Sequence, residues 1–326
     1  MEAWAGPLQI ADGIRPEFRR SHDVQPIQGV KILSGISADP THVVRTYIGP
    51  DFVVNEEMWV PLEEKVIVVR YRVRSLDPPS ITVRFHPSLN LMWPAALGGQ
   101  DVHWDGKHSA YIMTDAARQF AAVVMAPNAA SHDEPLNYTA YDPAQDELGI
   151  SLGPNSPAIL FAEVDPKPEP AGTWDAVISP LEKILATNFT VGNEQHAIKV
   201  RSDSLEIETP DSSLNNALAW AEVALDQDWF CNDKLGCGFV AGYGPSRRGR
   251  RPQYAWYFAG DGLVSMHAAL AIGNLDRARE ELRFIANYQD QQSGMIWHEL
   301  SQSAPYLDWR GKYPYMFVHA DVTYPY

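Results

Sequence analysis

A chain of 326 residues is too long for one ordinary hydrophobic core, so two domains are the default expectation. Its 45% hydrophobic and 21% charged content is that of a folded globular protein, which excludes a disordered or fibrous chain. With 26 Lys+Arg against 41 Asp+Glu, the formal net charge of -15 argues against nucleic acid and anionic membrane surfaces as partners, but not against a neutral ligand such as a glycan.

The first residues, "MEAWAGPLQIADG", have neither the basic start nor the apolar run of a secretory signal. No stretch approaches the ~18 apolar residues of a membrane span, so the expectation is a soluble, cytoplasmic protein. Residues 1 to 205 read as strands. "VIVVRYRVRS" (66–75) ends with Tyr71 and Val73 on one side and Arg70, Arg72 and Arg74 on the other. "ITVRFHPSL" (81–89) sets Ile81, Val83 and Phe85 against Thr82, Arg84 and His86. "FAAVVMAP", "AILFAEV" and "HAIKVRSDSLEIETP" continue the theme. Period-2 runs broken by Pro, Gly, Asn and Asp clusters predict antiparallel sheets buried on one face, and so many of them predict a large β-sandwich over 1–205.

The period changes near residue 210. Leu214, Ala217, Leu218, Ala221, Ala224 and Leu225 fall on one helical face, with Thr209 as cap and Pro210 at the first position. A second helix is predicted from Asp261 to Ala271, with Leu263, Met266, His267 and Leu270 on one side. A third is predicted over Leu275–Gln291, with Ala278, Leu282, Ile285 and Tyr288 inward; the "GN" joint at 273–274 makes the two an antiparallel hairpin. Residues 292–326 read as aromatic loop, with a further helix starting at the end. The domains are therefore placed at 1–205 and 206–326.

Cys231 and Cys237 lack CxxC spacing and a surrounding Cys/His cluster, so no zinc site is expected; we read them as reduced thiols, with a single disulfide as the alternative. GxGxxG, GxxxxGK[ST] and GxSxG are all missing, and His298-Glu299 falls far short of HExxH; neither cofactor nor metal is expected. "GPSRRGRR" (244–251) is a basic patch without interleaved aromatics, read as a loop or a solvated turn.

In "RPQYAWYFAGDGLVSMHAALAIG" (251–273), three rings stand directly before an acid at a helix start. Together with "LNNALAWAEVALDQDWF", "GCGFVAGYGPS" and "GMIWHELSQSAPYLDW…YPYMFVHADVTYPY", this stretch resembles bacterial glycogen-debranching-like proteins of the amylo-α-1,6-glucosidase group, within the six-hairpin glycosidases. The resemblance covers about 205–326. It implies a β-sandwich followed by a toroid of α-hairpins, of which this chain carries only the first helices, so that it looks like an N-terminal part. The family's Phe-Gly-Arg-Asp is Phe258-Ala259-Gly260-Asp261 here, which removes one charged group beside the acid.

The resemblance further implies that Asp261, at the mouth of an inner helix, binds sugar hydroxyls while Trp256 or Tyr257 stacks on the sugar; the plainer alternative is a helix N-cap. Trp297, His298 and Glu299 form a second cluster, with a solvated loop as the alternative. Tyr306, Asp308, Trp309, His319 and Asp321 form a third; Asp321 is again an acid that could cap a helix. Glycoside hydrolysis needs two carboxylates, about 6.5–9.5 Å apart in inverting enzymes. The family places the acid and base on later hairpins, so Asp261, Glu299 and Asp321 are weak catalytic candidates. The expected function is hydrolysis of an α-glucan or related oligosaccharide, this chain holding the sugar-positioning half of the site. The alternatives are a non-catalytic glycan-binding or inactive fragment, and a sugar phosphorylase in which phosphate replaces the attacking water.

Overall fold

The computed structural model describes residues 1–62, 64–135, 147–155, 157–167, 173–186, 190–205, 207–246, 252 and 254–307. The chain forms two compact units: Met1–Asn90 with Leu97–Glu194, and Leu91–Ala96 with the residues from Gln195 on.

The first unit is built from β1 (Ala3–Ala5), β2 (Leu8–Arg19), β3 (Ile27–Gln28), β4 (Leu33–Asp39), β5 (His42–Ile48), β6 (Val53–Trp59), β7 (Val66–Arg74), β8 (Ser80–Leu91), β9 (Gln100–Asp105), β10 (Ala110–Asp115), β11 (Ala121–Met125), β12 (Ser131–His132), β13 (Leu148–Ser151) and β14 (Ala158–Val164). One sheet runs β1-β2-β8-β13-β12, with β3 on β2; the other runs β4-β5-β6-β7-β14-β11-β10-β9. All described pairings are antiparallel. The alternation read from residues 81–89 is realised: Ile81, Val83, Phe85 and Leu89 are buried, and Thr82, Arg84 and His86 are half-buried on the other face. Phe85 meets Tyr111 of β10 at 5.8 Å and Phe161 of β14 at 6.0 Å, both edge-on, so the two sheets pack face to face as a sandwich.

Two helices lie where only strands were expected. α1 (Asp175–Ala186) lays Ile178, Leu181 and Ile184 on the outer face of the larger sheet, against Trp59, Val68, Ile112, Val123 and Leu160. That sheet is covered on both faces, which is why β10 and β11 are buried throughout and read as continuous apolar runs. His108 ties α1 down: its ring nitrogens lie 2.8 Å from Asp175 and 3.1 Å from Glu182. α2 (Thr190–Ser202) takes up "HAIKVRS", read above as strand. The four-residue alternation of Ile198 and Val200 with Lys199 and Arg201 is too short to fix a period, and Ile198 is exposed.

The second unit contains α3 (Ser212–Gln227), β15 (Trp229–Asn232), β16 (Gly236–Phe239), β17 (Tyr257–Phe258), α4 (Ala259–Ala271), α5 (Leu275–Asn287) and β18 (Glu299–Leu300). Asp211, not Thr209, caps α3, accepting from the amides of Ser213 and Leu214. Thr209 and Asn215 instead hydrogen-bond each other, and the helix starts two residues later than expected. The anticipated inward face of α3 is largely exposed and its buried residue is Val223, because the side that packs is set by β15 and α4. α4 and α5 form the expected hairpin. Gly273 adopts φ 88, a left-handed stop that a side chain disfavours, and Asn274 then caps α5 by accepting from Arg277. Leu263 and Met266 face inward as expected, whereas His267, Leu270 and Leu282 are exposed. α5 buries Ala278 and Ile285 as expected, with Glu281 and Phe284 beside them. Tyr288 ends the helix, half-buried, and donates to the Leu235 carbonyl at 2.6 Å. The core combines Tyr257, Leu263, Met266, Phe284, Ile285 and Trp297.

Cys231 and Cys237 form a disulfide. This corrects the reduced-thiol expectation: the two residues are direct partners in the β15–β16 ladder, a pairing that linear spacing does not reveal.

Candidate functional site

Two short strands build the site around the start of α4. β17 pairs with β18 through Tyr257↔Leu300 and Phe258↔Glu299, and the ladder continues as the Ala259 amide donates to the His298 carbonyl at 3.1 Å. His298 and Glu299 are thereby carried to the first turn of α4, where Asp261 sits. Phe258 is the N-cap of that helix and offers no side-chain cap bond, so Asp261 is not the N-cap. It lies inside the first turn, where the helix dipole favours an acid. Its side chain is exposed, with no hydrogen bond or ion pair to the described residues. His298 and Glu299 are half-buried, the His298 ring edge-on to Phe258 at 5.6 Å.

The rings expected to stack on sugar are placed otherwise. Trp256, Tyr257 and Trp297 are each 0% exposed. Trp256 stacks on Trp93 at 6.2 Å and Phe258 at 5.8 Å, and its Nε1 donates to Glu299 Oε2 at 3.2 Å. The Tyr257 hydroxyl donates to the carbonyls of Phe230 and Gly236, each at 3.2 Å, while its ring packs on Phe284. Trp297 Nε1 donates to the Ile285 carbonyl at 3.2 Å. All three are core residues, and no ring face remains for a ligand. A ring run beside an acid suits sugar stacking and ring-on-ring packing equally well, and burial decides between them.

Among the described residues, the accessible aromatic surface next to these rings comes from two not singled out above. Trp93 is half-buried; Tyr254 is 58% exposed, its ring edge-on to Phe258 at 5.6 Å. Trp93 arrives on the Leu91–Ala96 segment, which is held by Ser301 Oγ donating to the Trp93 carbonyl at 2.6 Å and by the Ala95 amide donating to Ser303 Oγ at 3.3 Å. The signal for Tyr254 lay two residues before Trp256. Trp93, in "LMWPAALGG", lies more than 150 residues away in sequence and carried no comparable flag. Tyr306 is half-buried beneath Lys234, whose Nζ lies 3.9 Å from the ring centroid. Asp308, Trp309, His319 and Asp321 lie outside the described residues, as do 247–251 of the basic patch.

Elsewhere in the second unit, a cavity of about 260 Å³ is lined by residues that include His196, Glu222, Asp226 and Arg277, with His196 and Asp226 hydrogen-bonded at 2.7 Å. None of the expected site residues lines it. Among the described residues, no group of His, Cys, Asp and Glu could hold a metal ion, and no helix is long and apolar enough to cross a membrane.

No protein-family model matches the chain, and no curated protein matches it in sequence. Among solved structures it is similar to a bacterial glucoamylase complexed with acarbose, with a TM-score of 0.59 at 10% identity. The likeness covers 91% of this chain and 47% of that one, so this chain spans about half the length of the glucoamylase. At that identity the likeness concerns the fold: the sandwich and following helices share the fold of the matching part of a glucoamylase.

Proposed function

We propose that this chain is part of a glycoside hydrolase acting on an α-glucan or a related oligosaccharide, and that it belongs with the debranching-like group of the six-hairpin glycosidases. α4 and α5 would be the first hairpin of its toroid, and 206–326 the beginning of the helical domain. The observation that carries this is the exposed carboxylate of Asp261 in the first turn of α4, unpaired among the described residues, with His298 and Glu299 brought beside that turn by β17–β18. A carboxylate there accepts two hydroxyls of one sugar residue, and its charge is favoured by the helix start. Trp93 and Tyr254 take over the stacking surface first assigned to Trp256 or Tyr257. The fold likeness to a glucoamylase that binds acarbose supports a carbohydrate as the partner.

Within this assignment the described residues position sugar rather than transfer protons. Glu299 Oε2 already accepts from Trp256, which holds its carboxylate in place as an acceptor. General acid help contributes roughly 10²–10⁴-fold, so the site needs an acid and a base from elsewhere in the protein, with Asp321 still a weak candidate. The test is calorimetry with maltooligosaccharides beside a hydrolysis assay on the same sample. Binding that Asp261→Asn abolishes, with the fold intact, supports the assignment; native affinity in that variant removes Asp261 from the site. Turnover by these 326 residues alone would overturn the division between positioning and proton transfer. Phosphate-dependent release of a sugar phosphate would assign a phosphorylase instead.

A further inference from the structure

Directly behind the turn that carries Asp261 lies a second acid with a different character. Glu281, on α5, is 1% exposed. Its Oε2 accepts the Phe239 amide at the end of β16 at 2.8 Å. Its Oε1 faces Gly262, the residue after Asp261, so closely that a Cβ added there would stand 2.2 Å from it; one added at Gly238 would stand 3.1 Å from Oε2. A side chain at Gly262 would therefore collide with the carboxyl, and one at Gly238 would press on it while colliding with the Phe284 ring 2.7 Å away, so the first turn of α4 and the end of β16 close onto Glu281. Among the described residues no Lys, Arg or His lies within ion-pair distance of Glu281. On α4 the titratable side chains are Asp261 and His267, both exposed; on β16 Cys237 is in the disulfide. On α5 Asp276 pairs with Arg279, and Arg277 pairs with Glu280 at 3.9 Å and lies over Trp229, while Arg283 approaches no acid within ion-pair distance among the described residues. A carboxylate buried without a cation is costly, so the neutral acid is the form that suits this seat. Consistently, burial pushes the Glu281 carboxyl up to about 7, only partly offset by the Phe239 amide.

We propose that Glu281 is a positioning residue for the glycan site: as a neutral acid it seats the first turn of α4 at Gly262, and its ionisation loosens the turn that presents Asp261, a role that rests on Asp261 being the sugar ligand assigned above. Glycan affinity then falls as the pH rises through neutrality. Glutamine keeps an acceptor for the Phe239 amide and cannot ionise, so Glu281→Gln holds the seated form at every pH. His298 also stands at the site, but it remains in the variant, so a fall that arises from His298 persists there.

The test measures maltotetraose affinity by calorimetry from pH 5.5 to 8.5 in the native chain and in Glu281→Gln. It follows the infrared band of the protonated carboxyl and the hydrogen exchange of the α4 first turn, corrected for intrinsic rates, across the same range. The expected result is a native affinity that drops roughly fivefold or more, the scale of ordinary site-to-site coupling. The variant stays flat at the native low-pH value. A carboxyl band disappears near neutrality in the native protein only, and exchange of the turn accelerates with it. Parallel affinity profiles in the two proteins, or a carboxyl already ionised at pH 5.5, would overturn the proposal. Absence of glycan binding by the native chain at every pH would instead sink the assignment of Asp261. The seating role would then stand if the infrared band and the exchange of the turn titrate together in the native protein alone, and fall if they do not.

Discussion

Trp256 separates a binding platform from a core residue most sharply. Replacing it by phenylalanine keeps an aromatic ring that could still cover a sugar, but removes three side-chain heavy atoms, the Nε1 donor among them. In the structure those atoms are fully buried between Trp93 and Phe258, and the donor serves Glu299. Two buried carbon groups are worth ~1.6 kcal/mol, and the unrelaxed void adds to that. A hydrogen bond to a charged acceptor contributes about 1.5–3 kcal/mol, here discounted to ~1 kcal/mol because half-buried Glu299 can regain water. Trp256→Phe should therefore cost about 2–4 kcal/mol, a large share of the ~5–15 kcal/mol that holds a domain together. Trp256→Ala should approach the upper end of the roughly 3–5 kcal/mol range for buried tryptophan. Urea unfolding followed by circular dichroism, with the slope compared between variants, reads this directly. A Trp256→Phe protein that unfolds at the native midpoint but binds maltooligosaccharide more weakly would refute the packing assignment and restore the ring as a sugar platform.

Three further outcomes are expected. Tyr254→Ala, at an exposed ring, should leave the unfolding midpoint within about 0.5 kcal/mol of native while weakening glycan affinity; equal affinity would remove Tyr254 from the site. Gly262→Ala should lower stability by about 1–2 kcal/mol in thermal melts despite alanine's better helix propensity, because its Cβ meets Glu281 Oε1, and the loss should shrink in a Glu281→Ala background. His108 has carboxylates at both ring nitrogens, which requires the doubly protonated ring if both are to donate. Burial opposes that charge, but the hydrogen bonds to Asp175 and Glu182 and the nearby Asp105 outweigh it, so the imidazole titrates above its ordinary value. A raised folded value means stability that is complete below the unfolded value near 6.5 and is lost as pH rises through the folded one. The native chain should thus exceed His108→Gln in melting temperature at pH 5.5 by more than at pH 9; equal gaps at both would show that the ring holds α1 without its charge.

Much of the fold was legible because it depends on short-range rules. The one-sided strand at 81–89 kept its alternation, and the Gly273-Asn274 joint ended one helix and began the next where their backbone preferences required. Where a surface was covered from both sides, or a pattern was only four residues long, the period misled: α1 and α2 were read as strand, although Ile178, Leu181 and Ile184 carried a helical spacing. The site was legible only in part. Asp261, His298 and Glu299 do converge on one helix start, because β17 pairs with β18. The roles of the rings were not legible, since stacking on a sugar and stacking on a neighbouring ring make the same demand on composition.

The sequence by itself determined the strands that alternate, the hairpin of α4 and α5, and an acid in the first turn of α4, all set by contacts within a few residues of chain. Only the tertiary structure decided that Trp256, Tyr257 and Trp297 are buried, that Trp93 joins them from a distant segment, that Cys231 meets Cys237 across a ladder, and that Glu281 lies behind Gly262 with no cation beside it among the described residues. Each of these depends on which strand or helix lies opposite, and that pairing is fixed by non-local packing that no local period encodes.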